Sequence, residues 1–438
     1  LDFVFSFKRI IDKKTASPGA WIFNDKVLKA NDSTFSDTCF KAINDTVLRI
    51  YLANPFPPLL QILSMPYAYV VPREAVEKFG KEFRIHPVGT GPFKFKIWEE
   101  KSAVVFLKNE NYWKKDSAGN NLPYLDGVHI SFIYDRNIAF MTFMQKKIDF
   151  ISGLDENSRD MVFQHDGSIQ PAFAEKYNVQ KTPYMNTEYL GFQLDKSVYE
   201  NKNHPILNKK VRQALNYAIN KEQMVQYILS NVGTPGNHGF IPVSLYPTDQ
   251  QYTKGYPYDI NKAAKLLKEA GYPGGNGLPV IKLTTIVRFP YKEIAEFIQR
   301  EWARLGVKLA VETIDYPTLL ETVAQGKVEF FRASWEGDYP DPENYLALFY
   351  SKNFTPHGPN KTRYSNPQYD ALYLKAMNEP DHQKRSKLYF ELDQMATDEA
   401  PIVMLFYDEV VRLTQKNIKG LEANAMNSLM LEKVDIIQ

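Results

Sequence analysis

Residues 280–335 read VIKLTTIVRFPYKEIAEFIQREWARLGVKLAVETIDYPTLLETVAQGKVEFFRASW, and the spacing of their apolar side chains decides the fold. Residues 280–287 are rich in β-branched side chains and predict a strand. Pro290 suits the first turn of a helix, along which Ile294, Phe297, Ile298, Trp302 and Leu305 recur at helical spacing until Gly306 ends it. Residues 307–313 alternate as a strand, 317–325 predict a short helix stopped by Gly326, and 328–335 return as a strand. The order is βαβαβ. Right-handed crossovers make such strands parallel and set all three carboxyl ends along one edge of the sheet. Open α/β sheets bind ligands outside that edge.

The edge carries charge of both signs. Arg288 follows the first strand, Lys292 lies about one helical turn beyond it, and WEGD at 335–338 follows the third. A zwitterion requires such a rim. An aromatic residue followed three positions later by a carboxylate, here Trp335 and Asp338, suits a grip on a cation. Structural readings stand beside these. A carboxylate in a turn after a strand ordinarily caps the next helix or bonds its own loop, and Pro340 and Pro342 mark a rigid turn. Taken alone, Asp338 fits that role better than an anchor, and Asp341 and Glu343 fit it better still. Trp335 suits a core equally well. Arg288 and Lys292 also fit as solvated charges, although a helix start does not favour them.

With 438 residues, 44% hydrophobic and 24% charged, two or three domains are expected. The 53 Lys and Arg nearly cancel 51 Asp and Glu, leaving +2, which disfavours nucleic acid as a partner. A single cysteine, Cys39, allows no intrachain disulfide and no cysteine metal cluster. The seven histidines include no pair at metal-ligand spacing. The carboxylates at 338, 341 and 343 are interrupted by prolines and lack the central glycine of a calcium loop. No HExxH, nucleophile elbow, phosphate loop or dinucleotide fingerprint is present. No metal, no cofactor and no enzymatic activity are therefore expected. No apolar run is long enough to span a bilayer. The chain opens at Leu1 inside a patterned segment, so an absent N-terminal portion is expected.

Elsewhere, residues 1–75 predict mostly helix, with Phe3, Phe7, Ile10 and Ile11 on one face and a turn at Ser17, Pro18 and Gly19. Strands are expected over 93–97, 104–107 and 128–134, a helix over 136–147, and strands over 148–151 and 182–194. Asn220 with Gln223 reads as a capping box, so two helices meet there. Asp259 caps another, which Gly271 and Pro273 stop. Helices from Asn366 to Met377 and over 382–398 precede a strand over 401–413.

Several segments together resemble one family. They are DFVFSFKRIIDKKTASPGAW (2–21), VPREAVEKFGKEF (71–83), HPVGTGPFKFKIW (86–98), HPILNKKVRQALNYAINKEQMV (204–225), AAKLLKEAGYP (263–273), ASWEGDYPDPENYL (333–346), RYSNPQYDAL (363–372) and PIVMLFY (401–407). In this order they are similar to the extracytoplasmic solute-binding proteins of peptide ABC importers, the dipeptide and oligopeptide type called family 5. The resemblance implies an α/β, two-lobe periplasmic-binding-protein fold of type II. Lobe one would hold 1–184 plus 402–438, lobe two 188–400, and the crossings would sit at 184–188 and 399–402. It implies a receptor that captures short peptides by closing and delivers them to an ABC permease with a separate ATPase. Asp338 would hold the peptide ammonium, and the main chain of Ser334, Trp335, Glu336 and Gly337 would pair with the peptide. Tyr189 on the strand over 182–194 completes the expected ligand-binding set, with Arg288 and Lys292 for the carboxylate. A monomer outside the cytoplasm, tethered by lipid or free, is implied. Rival readings are a receptor for a nickel complex, oligosaccharide or opine, and a signalling or chaperone-like protein.

Overall fold

One sheet organises most of the chain, in a computed structural model that describes residues 1–31, 34–245 and 252–437. Its strands are β1 (Phe150–Ser152), β2 (Tyr177–Phe192), β3 (Thr234–Pro235), β4 (Ile281–Ile286), β5 (Leu309–Ile314), β6 (Phe330–Glu336) and β7 (Ile402–Gln415). The spatial order is β3-β7-β2-β6-β4-β5, with β1 also pairing with β7. The expected βαβαβ unit is present. β4 and β5 run parallel in step from Ile281 opposite Leu309 to Ile286 opposite Ile314, and β4 and β6 are parallel too. The long strands β2 and β7 make the sheet mixed, because β2 lies antiparallel to β6.

Helices α1 (Lys209–Tyr217), α2 (Lys221–Leu229), α3 (Ile260–Glu269) and α4 (Tyr291–Ala303) contribute to one apolar core with this sheet. Val211, Ala214 and Leu215 of α1 and Ile294, Ile298 and Trp302 of α4 are buried there, as helical spacing predicts. Trp302 stacks on Phe330 at 5.5 Å between ring centres, and Phe330 stacks on Phe192 at 4.6 Å. The indole Nε1–H donates to the Leu215 carbonyl at 3.0 Å, so its one polar atom is satisfied inside the core.

Helix starts follow their capping residues. Asp259, Asp315, Asn366 and Asp381 open α3, α5 (Tyr316–Ala324), α6 (Pro367–Met377) and α7 (His382–Glu399), each accepting from a backbone N–H of its first turn. Asn220 likewise accepts from the Gln223 N–H at 3.0 Å. Its own N–H donates to Glu301 at 3.3 Å, so the second half of the expected capping box is served by α4 instead.

The chain divides into two compact units, Leu1–Ile151 with Thr414–Ala423 and Ser428–Gln438, and Ser152–Leu413 with Asn424–Asn427. The first unit corrects one expectation: residues 1–75 are not mostly helical. After the helix Asp2–Ile11 come short antiparallel pairs, Lys29–Asn31 with Thr34–Phe35 and Phe40–Ala42 with Leu48–Ile50. The second pair closes on Asn44, whose side-chain oxygen accepts from the Thr46 and Val47 N–H groups at 2.9 Å, an Asx turn that outweighs helix propensity. Phe7 and Phe23 each meet Phe40 edge to face and lie tilted against one another behind it. The expected three-stranded set is an antiparallel meander, Phe93–Glu99, Ala103–Lys108 and Gly127–Ser131.

Candidate functional site

β6 is paired unequally on its two sides. Against β2 the ladder runs its whole length, from Phe330 opposite Phe192 to Glu336 opposite Asn186. Against β4 it is held only at Phe330 and Phe331. Beyond Phe331 the two strands part, so the outer half of β6 keeps one edge without a neighbour among the described strands. The Gly337 N–H donates to the Met185 carbonyl at 2.7 Å, which sets the alternation of the ladder. Ser334 and Glu336 therefore turn their own N–H and C=O groups away from β2, toward the vacant side.

The turn that follows is built around Asn344, a buried residue of the short helix Glu343–Leu346. Its Oδ1 accepts from the Trp335 indole at 3.0 Å and from the Asp338 N–H at 2.9 Å, while its Nδ2 donates to Asp338 Oδ2 at 3.2 Å. One amide thus fixes both ends of WEGD. Gly337 must be glycine here, because a Cβ would stand 2.7 Å from the Tyr345 hydroxyl and from Met185 Cε. Asp341 accepts from the Glu343 N–H at 2.9 Å across the turn at Pro342 that opens that helix. Glu343 takes the Tyr339 and Tyr373 hydroxyls in the interior. Asp341 bonds its own turn, as read from sequence, whereas Glu343, expected as a loop or cap residue, is a buried helix residue that holds two tyrosine hydroxyls.

Asp338 stands apart. It is half-buried, and no cation pairs with it among the described residues. Burial pushes its carboxyl above the usual range, the Asn344 amide pulls it down, and the charge of Glu336 adds to the rise. The site holds a carboxylate in want of a positive partner.

The opposite sheet face carries a different arrangement. Arg332 donates through one nitrogen to both oxygens of Glu188, at 2.9 and 2.8 Å, in a pair with each side chain at most 7% exposed. The guanidinium lies 3.9 Å over the Tyr291 ring. Asn186 links Glu188 to Asp408, whose carboxyl is pushed up to about 6 chiefly by burial. Between β6 and α5 is an open pocket lined by Tyr316, Leu319, Leu320, Val323, Arg332, Ala333, Ser334 and Lys361.

The residues singled out from sequence fall in different surroundings. Ser334, Trp335, Glu336, Gly337 and Asp338 form one continuous ribbon at the open edge. Tyr189 is buried and meets Phe240 edge-on at 5.2 Å, on the sheet face away from Glu188. Arg288 is exposed after β4, and Lys292 is exposed with its ammonium 3.8 Å from Glu296 one turn along α4. Glu188, Arg332, Asn344 and Lys361 were not singled out. Glu188 and Arg332 are 144 residues apart, and nothing in either segment announces the other. Among the described residues no group of three or more His, Cys, Asp or Glu could hold a metal ion, and no helix is long and apolar enough to cross a membrane.

Comparison with known proteins agrees with this architecture. Residues 1–356 match the family described as bacterial extracellular solute-binding proteins, family 5 Middle. The chain is 26% identical over 406 residues to the dipeptide-binding protein of Escherichia coli K12, covering 90% of this chain and 71% of that one. It is 27% identical over 402 residues to the glutathione-binding protein GsiB of Shigella flexneri serotype 5b, covering 90% and 74%. The structure of the periplasmic binding protein DppA from Helicobacter pylori, in complex with the peptide STSA, superposes with a TM-score of 0.74 at 26% identity, over 100% of this chain and 81% of that one. With a mixed sheet of this order, a ribbon-edged WEGD turn and a family match over most of its length, the chain belongs to the bacterial extracellular solute-binding proteins of family 5.

Proposed function

We propose that this protein is the peptide receptor of an ABC importer, and that the ligand adds itself to the open edge of β6. The observation that carries the reading is Asp338, a half-buried carboxylate with no cation partner among the described residues, at the end of a strand edge that no described strand fills. A peptide's α-ammonium supplies the missing charge. Its main chain supplies the missing hydrogen bonds to Ser334 and Glu336, with Trp335 and Gly337 holding the ribbon to β2. Main-chain pairing is blind to side chains while a charged anchor fixes register, so many sequences fit one site. The relatives named for dipeptides and glutathione, and the neighbour holding STSA, support a ligand with a free amine.

Arg288 and Lys292 serve the ligand's far end in this reading, and Tyr189 supports β2 from beneath. The lobes that move are 1–184 plus 402–438 and 188–400, with crossings at 184–188 and 399–402, a division by motion that need not follow the compact units. Ligand touching both lobes shifts the population toward the closed state. The protein works as a non-catalytic monomer outside the cytoplasm, free or lipid-tethered, and hands its ligand to a permease.

Mass spectrometry of the small molecules released on denaturing the purified protein tests this directly, together with calorimetry of Asp338→Asn. A set of short peptides is expected. The variant should bind them about 30-fold more weakly or worse, since losing one partner of a buried charge pair costs about 2–5 kcal/mol. A released sugar or metal complex, or unchanged peptide affinity in the variant, overturns it.

A further inference from the structure

On the sheet face that carries Glu188 and Arg332, acceptors outnumber donors. Asn186 of β2 stands between β7, which brings Asp408, and β6, where Glu336 is its direct partner in the ladder. Directly opposed residues share a face, so the three form one transverse row. The Asn186 Nδ2 is spent on two carboxylates, donating to Glu188 at 3.1 Å and to Asp408 at 3.2 Å. Turning the amide over would set its oxygen against both, so these neighbours fix its orientation. The Oδ1 lies on the side away from them, in a side chain 7% exposed, and has no donor. Glu336 cannot supply one. Its carboxylate is exposed, only accepts, and has no ion pair among the described residues, with the neutral Tyr184 hydroxyl as its neighbour. Asp408 accepts from the Glu409 N–H at 2.9 Å, yet burial and the charge of Glu188 leave its carboxyl pushed up to about 6. Arg332 is taken by Glu188, Lys361 sits beside that pair, and Arg159, which pulls weakly on Asp408, donates to the Leu229 carbonyl at 2.9 Å. An orphaned acceptor and two carboxylates without an ion pair thus meet in one row.

We propose that Asp408, Asn186 and Glu336 form a cation-accepting subsite that selects ligands carrying a basic side chain close to their free amine. This rests on the peptide reading above and adds a ligand class to it. Neighbouring strands lie about 5 Å apart, so a side chain leaving a ligand paired with β6 crosses Glu336 first and has the Asn186 oxygen as the next acceptor beyond. The long stems of lysine and arginine suit that reach and end in donors only. A metal ion is the poorer occupant, since among the described residues no group of three or more His, Cys, Asp or Glu could hold one. Glu336 precedes Asp338 by two residues, at most about 7 Å of extended chain. An ammonium held at Asp338 therefore places the ligand's first or second side chain beside Glu336.

Calorimetry on the purified protein, with lysine scanned through tetraalanine, reads the subsite as a ratio. At each position the lysine peptide is compared with its norleucine counterpart, which keeps the stem without the charge. In wild type, lysine at the first or second position should bind at least tenfold more tightly than norleucine there, and lysine at the fourth should gain less than twofold. The position that gains assigns the residue. Glu336→Gln should bring the ratio below threefold whatever it does to tetraalanine itself, and Asp408→Asn, which removes the charge at nearly constant shape, should lower it too. A ratio near one at both early positions, an equal gain at the fourth, or a ratio intact in Glu336→Gln overturns the subsite. If Asp338→Asn weakens every peptide while wild type treats lysine and norleucine alike, the subsite fails and the peptide receptor stands. Wild type binding none of the peptides overturns both.

Discussion

Asp338 lives between two opposing influences, a half-buried position that favours the neutral acid and an Asn344 amide that favours the carboxylate. Burial wins, so the ligand-free group titrates above a free aspartate. An ammonium ligand binds the ionised form, and stays charged itself at acid pH. Affinity should therefore weaken as pH falls through this raised pKa, earlier than an ordinary carboxylate would require, and Asp338→Asn should flatten the profile. Titration calorimetry from pH 4 to 7 checks it. Asn344 tests the same turn from the other side. Asn344→Ala leaves the Trp335 indole and the Asp338 N–H without their acceptor, and each such loss costs about 1–3 kcal/mol. We expect peptide affinity to drop tenfold or more with a parallel loss of unfolding free energy. Asn344→Asp keeps an acceptor but sets a second carboxylate beside Asp338, and should displace the pH profile upward. WEGD itself was legible because an aromatic and a carboxylate end a patterned strand. Asn344 was not, because one amide in a turn produces no periodicity and shows its role only once its three hydrogen bonds are traced.

At the scale of the element, β6 is a strand with two fates. Its inner residues Phe330 and Phe331 are locked between β2 and β4, and its outer half is locked on one side alone. Proline is tolerated in strands where the lost N–H faces no ladder partner. Ser334→Pro should thus fold, since its N–H points away from β2, yet lose one main-chain bond to the ligand and about tenfold in affinity. A normal melting temperature with weakened binding is the expected pair of results. The βαβαβ unit itself could be read from sequence because periods of two and 3.6 residues alternate cleanly and Gly306 and Gly326 punctuate them. The parting of β4 from β6 could not, since Thr285 and Ile286 continue the strand pattern past the point where pairing ends. The short strands before residue 51 were missed for a different reason: three residues carry too little alternation to outweigh the helical pattern upstream, and only the Asn44 turn signalled them.

Across the whole molecule, the stack of Phe192, Phe330 and Trp302 ties the inner end of β6 to α4 and, through the Leu215 carbonyl, to α1. The open edge of β6 is therefore anchored in the core of the larger unit. Trp302→Ala empties a fully buried indole and orphans that carbonyl. It should cost about 3–5 kcal/mol, read by denaturant titration. The architecture was legible because many weak signals agreed in one order along the chain. The Glu188–Arg332 pair was not, because its partners meet only after the sheet has formed.

An unfilled strand edge does not recognise whose chain completes it. Any extended segment exposed by a partly unfolded neighbour fits the same row of donors and acceptors, which is how sheets seed aggregates. The vacant stretch of β6 is short, and exposed Glu336 puts a charge at its outer end, so the hazard is contained without being removed. A bound peptide also works as a stopper, and the loaded protein should scatter light more slowly on heating than the empty one.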